Sequence, residues 1–169
     1  MADEVNFALL VLRVSFGLMM VAHGYNHFFR GGRIPGTGRW FESLGMKPGK
    51  FHATLASSTE VGAGLMFAAG FLTQLAAAGF VGLMTVAIAT LHRKNGFFVL
   101  KEGWEYVSLI AITAICVSIL GAGEWSIDHA LDIDDNLRGW AGFWISTAVG
   151  LGSAALLLAV FYRPPKPAS

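Results

Sequence analysis

Five histidines occur among the 169 residues, and four of them stand at the edges of apolar stretches beside acids and a tyrosine. His23 and His27 are spaced i, i+4, which places both on one face of a helix. His52 opens a second apolar stretch and His92 closes a third. Asn95, Glu102, Glu105 and Tyr106 follow within "HRKNGFFVLKEGWEY", residues 92–106. Two imidazoles at this spacing, with His92 and a carboxylate, can ligate zinc or iron. The same residue types beside an apolar slot suit a quinone, whose two carbonyls need hydrogen-bond donors and a proton source. A plain collar of polar side chains at the level of lipid headgroups is the third reading, and spacing alone leaves all three open. Arg13 and Glu60 lie deeper, inside apolar stretches, where an ionisable side chain is costly and needs a reason. At 1.5 Å per residue their backbones differ by roughly 10 Å in depth. That predicts a buried Arg13–Glu60 pair, which either ties the first two spans together or leaves Glu60 as a proton-handling carboxyl.

Those residues need elements to hold them, and the composition says what kind. The chain is 54% hydrophobic and 14% charged, with mean hydropathy +0.58; soluble domains carry about 25% charged residues. Apolar stretches at 5–22, 53–72, 75–91, 104–120 and 140–162 each approach the ~20 residues of a membrane-spanning helix. The second and third, separated only by Thr73 and Gln74, form a tight hairpin. Between the first two lies the glycine-rich segment 24–50, with Pro35 and Pro48 as breakers and a short amphipathic piece around Trp40–Leu44. Five spans put Arg30, Arg33, Arg39, Lys47, Lys50, Arg93, Lys94, Lys101, Arg163 and Lys166 on one side. By the positive-inside rule that side is cytoplasmic, so the N-terminus is expected outside and the C-terminus inside, in a multi-pass plasma-membrane protein. Loop 121–139 is then external, and its Glu124, Asp128, Asp132, Asp134 and Asp135 are expected as solvated charges. The sole cysteine, Cys116, excludes an intrachain disulfide, a dithiol redox centre and a thiolate-rich metal site. A net charge of +1 and the lack of a long basic run point away from nucleic acid. The acidic start "MADEVNF" argues against a cleaved secretory signal.

Four blocks of the sequence resemble the DoxX family of small membrane proteins: "RVSFGLMMVAHGYNHFF", "EVGAGLMFAAGFLT", "HRKNGFF" and "GWEY". With the closing "GAGEWSID", the resemblance runs from about residue 7 to 129. It implies an all-α four-helix transmembrane bundle over 1–129, with the matching polar residues turned inward. The remainder, 130–169, is an acidic outer loop, an additional C-terminal transmembrane helix and a short tail. His27 stands where the family often has lysine, and the fifth span has no family role; partner docking is the expectation for it. Relatives in the family include the membrane subunit of thiosulfate:quinone oxidoreductase and proteins associated with oxidative stress. The resemblance therefore implies a complex subunit of a quinone-dependent oxidoreductase, binding quinone at its cytoplasmic end and working with a protein partner in the lipid membrane. In that reading His92, Glu105 and Glu60 are the proton-handling, catalytic residues, and Arg13, His23, His27, Asn95 and Tyr106 surround the quinone. No metal ligand set is assigned. The alternative is a non-catalytic membrane anchor or scaffold that holds enzymes of a larger complex through its basic loops.

Overall fold

Small residues recur along the first apolar stretch at a spacing that places them on one face, and that face determines how the bundle is assembled. In the computed structural model, which describes residues 1–133 and 137–165, helix α1 spans Asp3–Phe29 and buries Asn6, Leu9, Arg13, Gly17, Met20 and Gly24. Successive gaps of three and four residues make one helical stripe. Facing it is α3, Gly49–Ala69, whose buried residues include Ser57 and Gly64. The two helices run antiparallel with backbones in contact. A Cβ on Gly17 would lie 2.5 Å from the Gly64 carbonyl oxygen, and one on Gly24 would lie 2.7 Å from that of Ser57. Gly17→Leu is therefore expected to force the two backbones apart, at the 1–3 kcal/mol or more typical of overpacking. The midpoint of thermal unfolding in detergent should fall by about 5–10 °C. Gly62, where a Cβ meets nothing within 4 Å, is the control: Gly62→Leu should leave the midpoint in place, and equal losses at both positions would refute the seam.

The glycine-rich segment contains more helix than expected. α1 continues through Gly24, so His23 and His27 share one unbroken helix, and α2 covers Arg33–Ser43. Pro35 is accommodated because first-turn amides have no intrahelical acceptor to lose. α2 packs on α3 and covers one end of the bundle. The hairpin after α3 lies slightly earlier than its sequence suggests. Gly70, at φ 64, ends α3 in the left-handed conformation, and Phe71 N–H returns to the Met66 carbonyl at 2.8 Å; this is the closing pattern glycine favours. Thr73 and Gln74 are the first residues of α4, Thr73–Thr90, and both are buried. α4 is the central helix, packed by α3, by α5 (Glu105–Leu120) and by the last helix. Two short 3₁₀ turns, His92–Asn95 and Val99–Lys101, connect α4 to α5. One helical turn, α6 (Ile127–Ala130), lies in the next loop. The last helix, α7 (Trp140–Phe161), contains a π-helical turn at Ile145–Val149 and runs parallel to α4.

The chain is all-helical among its described residues apart from a single bridge between Met46 and Tyr162. Among the described residues three helices are long and apolar enough to cross a membrane: α1, α4 and α7. α5 is apolar but has 16 residues, about 24 Å of helix. α3 is long enough, but Lys50, His52, Ser57, Ser58, Thr59 and Glu60 lower its hydropathy. The basic segments 30–50 and 93–101 meet Arg163 at one end of the bundle, and loop 121–133 lies at the other. Asp134, Asp135 and Lys166 lie outside the described residues.

Candidate functional site

The close contact of α1 with α3 at Gly24 also brings two titratable groups together near the basic end. His27 Nε2 lies 3.9 Å from Glu60 Oε2. The Glu60 side chain is 13% exposed, and its Oε2 is buried with no hydrogen-bond partner. An orphaned buried acceptor carries a desolvation cost of about 1–3 kcal/mol, more if charged, so one in a native site calls for an explanation. Both residues line a 120 Å³ cavity with Trp40, Thr90, Leu91 and His92. A neighbouring cavity of 360 Å³ shares Trp40, Leu91 and His92 and adds Val99, Glu102 and Tyr106. The larger of the two falls in the range of small-molecule pockets, about 300–1,000 Å³; the smaller adjoins it through their shared lining and has Glu60 in its wall.

His92 is held in a defined tautomer. Its Nδ1 is 2.6 Å from the Glu102 carbonyl oxygen. A carbonyl only accepts, so Nδ1 carries the proton and, in the neutral ring, Nε2 has the free lone pair. His23 lines neither cavity, and its Nε2 is 3.3 Å from the hydroxyl of Tyr106, which lines the larger one. The hydroxyl donates to the Met19 thioether sulfur at 2.9 Å, which leaves His23 as the donor of that pair.

Two residues placed at this site by the sequence serve the loop that forms its wall. Glu105 Oε2 accepts the Val99 N–H at 2.9 Å, and Asn95 Nδ2 donates to the same Glu102 carbonyl as His92, at 3.2 Å. Together they brace residues 96–104, where Glu102 adopts a left-handed φ of 58. His52, at the basic end as expected, lines neither of these cavities: its ring packs edge-on against Phe51 and Phe161, which also touch each other, with Nε2 3.4 Å from the Lys47 carbonyl.

The Arg13–Glu60 pair is not formed. Arg13 is fully buried and donates to the carbonyls of Ala68 at 3.2 Å and Trp125 at 2.7 Å. Ala68 lies in the last turn of α3, where carbonyls have no helical donor, and that acceptor draws the guanidinium toward the acidic end. Ala68 and Glu60 are eight residues, about 12 Å, apart along α3. Asp128 corrects the expectation of solvated loop charges. It is 2% exposed and accepts from Leu72 N at 2.6 Å, Thr73 N at 3.0 Å and Thr73 Oγ1 at 2.7 Å. A carboxylate from a distant loop thus caps the N-terminus of α4, where the helix dipole favours negative charge. Trp40, shared by both cavities, is marked in the sequence only by the short amphipathic piece around Trp40–Leu44. Its position in an amphipathic segment hinted at a lining role but could not aim it. Among the described residues, no three His, Cys, Asp or Glu side chains converge as metal ligands.

The helices and this site define an all-α membrane protein with a titratable, aromatic-walled pocket at its basic end. The chain belongs to the DoxX family, whose sequence model matches residues 8–93, a little over half of its length. That match covers α1 to α4 and His92; the resemblance of Asn95, Glu105 and Tyr106 lies beyond it. No curated protein and no solved structure matches the chain.

Proposed function

We propose that this protein is the quinone-binding membrane component of an oxidoreductase, a multi-pass plasma-membrane protein of five spans whose basic end faces the cytoplasm and receives electrons from a protein partner docked there. The observation that carries this reading is the pair of adjoining cavities that is walled by the orphaned Glu60 carboxyl and by His27, His92, Trp40 and Tyr106. Reducing a quinone to a quinol takes two electrons from the donor and two protons. Glu60 with His27 supplies one proton at the smaller cavity. His92 takes up the other from solvent at Nε2 while Glu102 fixes the ring. Tyr106 and His23 position the far side of the ring, and Trp40 offers a face for stacking. Glu105 and Asn95 act on the site through the loop they brace, and Arg13 supports the opposite end of the bundle. Kinship with the thiosulfate:quinone oxidoreductase membrane subunit fits this reading and remains part of the proposal.

The test is quinone binding by the purified protein in lipid nanodiscs, read as tryptophan quenching by a decyl-tailed benzoquinone together with mass spectrometry of co-purified lipids. Saturable quenching that is mostly lost in Trp40→Phe and His92→Ala is expected. Glu105→Gln should bind within about threefold of wild type, because an amide oxygen can still accept the Val99 N–H. A protein that shows no saturable quenching and carries no quinone from its membrane is an anchor or scaffold, and the redox reading is then wrong.

A further inference from the structure

A third cavity, of 220 Å³, lies against the smaller, Glu60-lined cavity between α3, α4 and α7. It exists because the facing residues are small: Thr59 on α3, Gly79 and Gly82 on α4, and Ser153 and Ala154 on α7. Its chemistry differs from that of the titratable cavities. Thr59 Oγ1 donates to the Leu55 carbonyl and Ser153 Oγ to the Gly150 carbonyl, so the hydroxyls lining this groove are already engaged within their own helices. The remaining surface is hydrocarbon apart from His52, whose ring packs edge-on against Phe51 and Phe161. Phe41, Ala56, Leu83 and Val86 line both this groove and the Glu60-lined cavity. The two spaces therefore share a wall on one side of α3, where Ala56 is the small residue. From Gly79 to Val86 the groove follows α4 for about 10 Å.

We propose that this groove holds the hydrocarbon tail of the same ligand whose ring sits at Glu60, so that the ligand is a prenylated or alkylated lipid quinone and α7 is a working wall of its site. The inference rests on the quinone reading above and adds two things to it, the ligand's long tail and a role for the last helix, which lies outside the family match. An unsatisfied carboxyl at one end and a fully satisfied apolar groove at the other, joined by shared lining, is complementary to an amphiphile with one polar, hydrogen-bonding head. A small soluble quinone would leave the groove unused. An ordinary two-chain lipid would place its headgroup at the membrane surface rather than beside Glu60.

The experiment uses the full chain in nanodiscs and a decyl-benzoquinone with a diazirine on its terminal carbon. After illumination, labels are expected on α7 and α4 around Ser153, Leu157 and Leu83, displaced by excess unlabelled decyl-benzoquinone. Ser153→Phe fills the groove from a side chain that bonds only its own helix. It should abolish those labels and weaken the tailed quinone about tenfold, while a tail-less dimethoxybenzoquinone quenches tryptophan as in wild type. Labels confined to the outward faces of α1 or α5 would overturn the inference and leave ring binding intact. So would a diazirine-bearing alkane that labels α7 and resists displacement by the quinone. If the tail-less quinone does not bind at all, the quinone reading itself fails, which the quenching arm reports separately.

Discussion

Glu60→Leu is expected to give a protein that is more heat-stable than wild type and has lost its ligand. The carboxyl has a buried oxygen with no hydrogen-bond partner and one imidazole at 3.9 Å, too long for a hydrogen bond. An orphaned polar group costs about 1–3 kcal/mol, and an apolar side chain of similar size removes that cost. A rise of about 3–6 °C in the thermal midpoint follows for a chain of this length. Quinone affinity should fall about 10–100-fold, the value of a hydrogen bond to an ionisable group. Measuring both quantities on one preparation separates the two readings of the residue. A carboxyl retained for function trades stability for binding; a structural ion pair with His27 would lose stability on substitution and leave binding unchanged. The second pattern would remove Glu60 from the site.

Asp128→Ala should have the opposite sign. Its carboxylate receives the Leu72 and Thr73 amides and the Thr73 hydroxyl inside the acidic end of the bundle, and its charge acts on the buried Arg13. Removing it strands two backbone donors at the start of α4 and takes away an opposite charge that acts on the buried guanidinium. Breaking a buried charged network of this kind costs about 3–5 kcal/mol, or roughly 10 °C in the midpoint. Asp128→Asn, which keeps an acceptor, should fall between. Ring binding in the protein that remains folded should be unaffected, since Gly70 and Glu60 are ten residues, about 15 Å, apart along α3. A midpoint for Asp128→Ala within about 2 °C of wild type would show that the cap contributes little.

These two acids show how far residue types reach. Glu60 was identifiable because a carboxyl inside an apolar stretch is rare whatever surrounds it. His27, His92 and Tyr106 were identifiable because consecutive antiparallel helices must return their ends to one level. The seam of Gly17, Gly24 and Gly64 emerged only with the structure, because which glycines face a neighbouring backbone depends on how α1 is rotated against α3. Asp128 looked like any acidic residue in a polar loop, and only the fold carries that loop over the start of α4. Arg13 was located at roughly the right depth but given the wrong partner. The open carbonyl of Ala68 at the end of α3 attracts it more directly than a carboxylate about two turns away. Glu105 and Asn95 stand at the right level, yet the path of residues 96–104 turns them onto backbone groups.

Periodicity, hydropathy and breakers act over a few residues, so the sequence by itself determined an all-helical membrane chain, the placement of its helices along the chain, the gathering of bases at one end and the residues worth suspecting. Hydrogen-bond partners depend on the rotation and register of one helix against another and on the course of a connecting loop. Those are set by the sum of many distant contacts. The tertiary structure alone therefore decided that Glu60 faces His27, that His92 is locked by Glu102, that Arg13 bonds the Ala68 and Trp125 carbonyls while Asp128 caps α4, and that the last helix closes a groove beside the site.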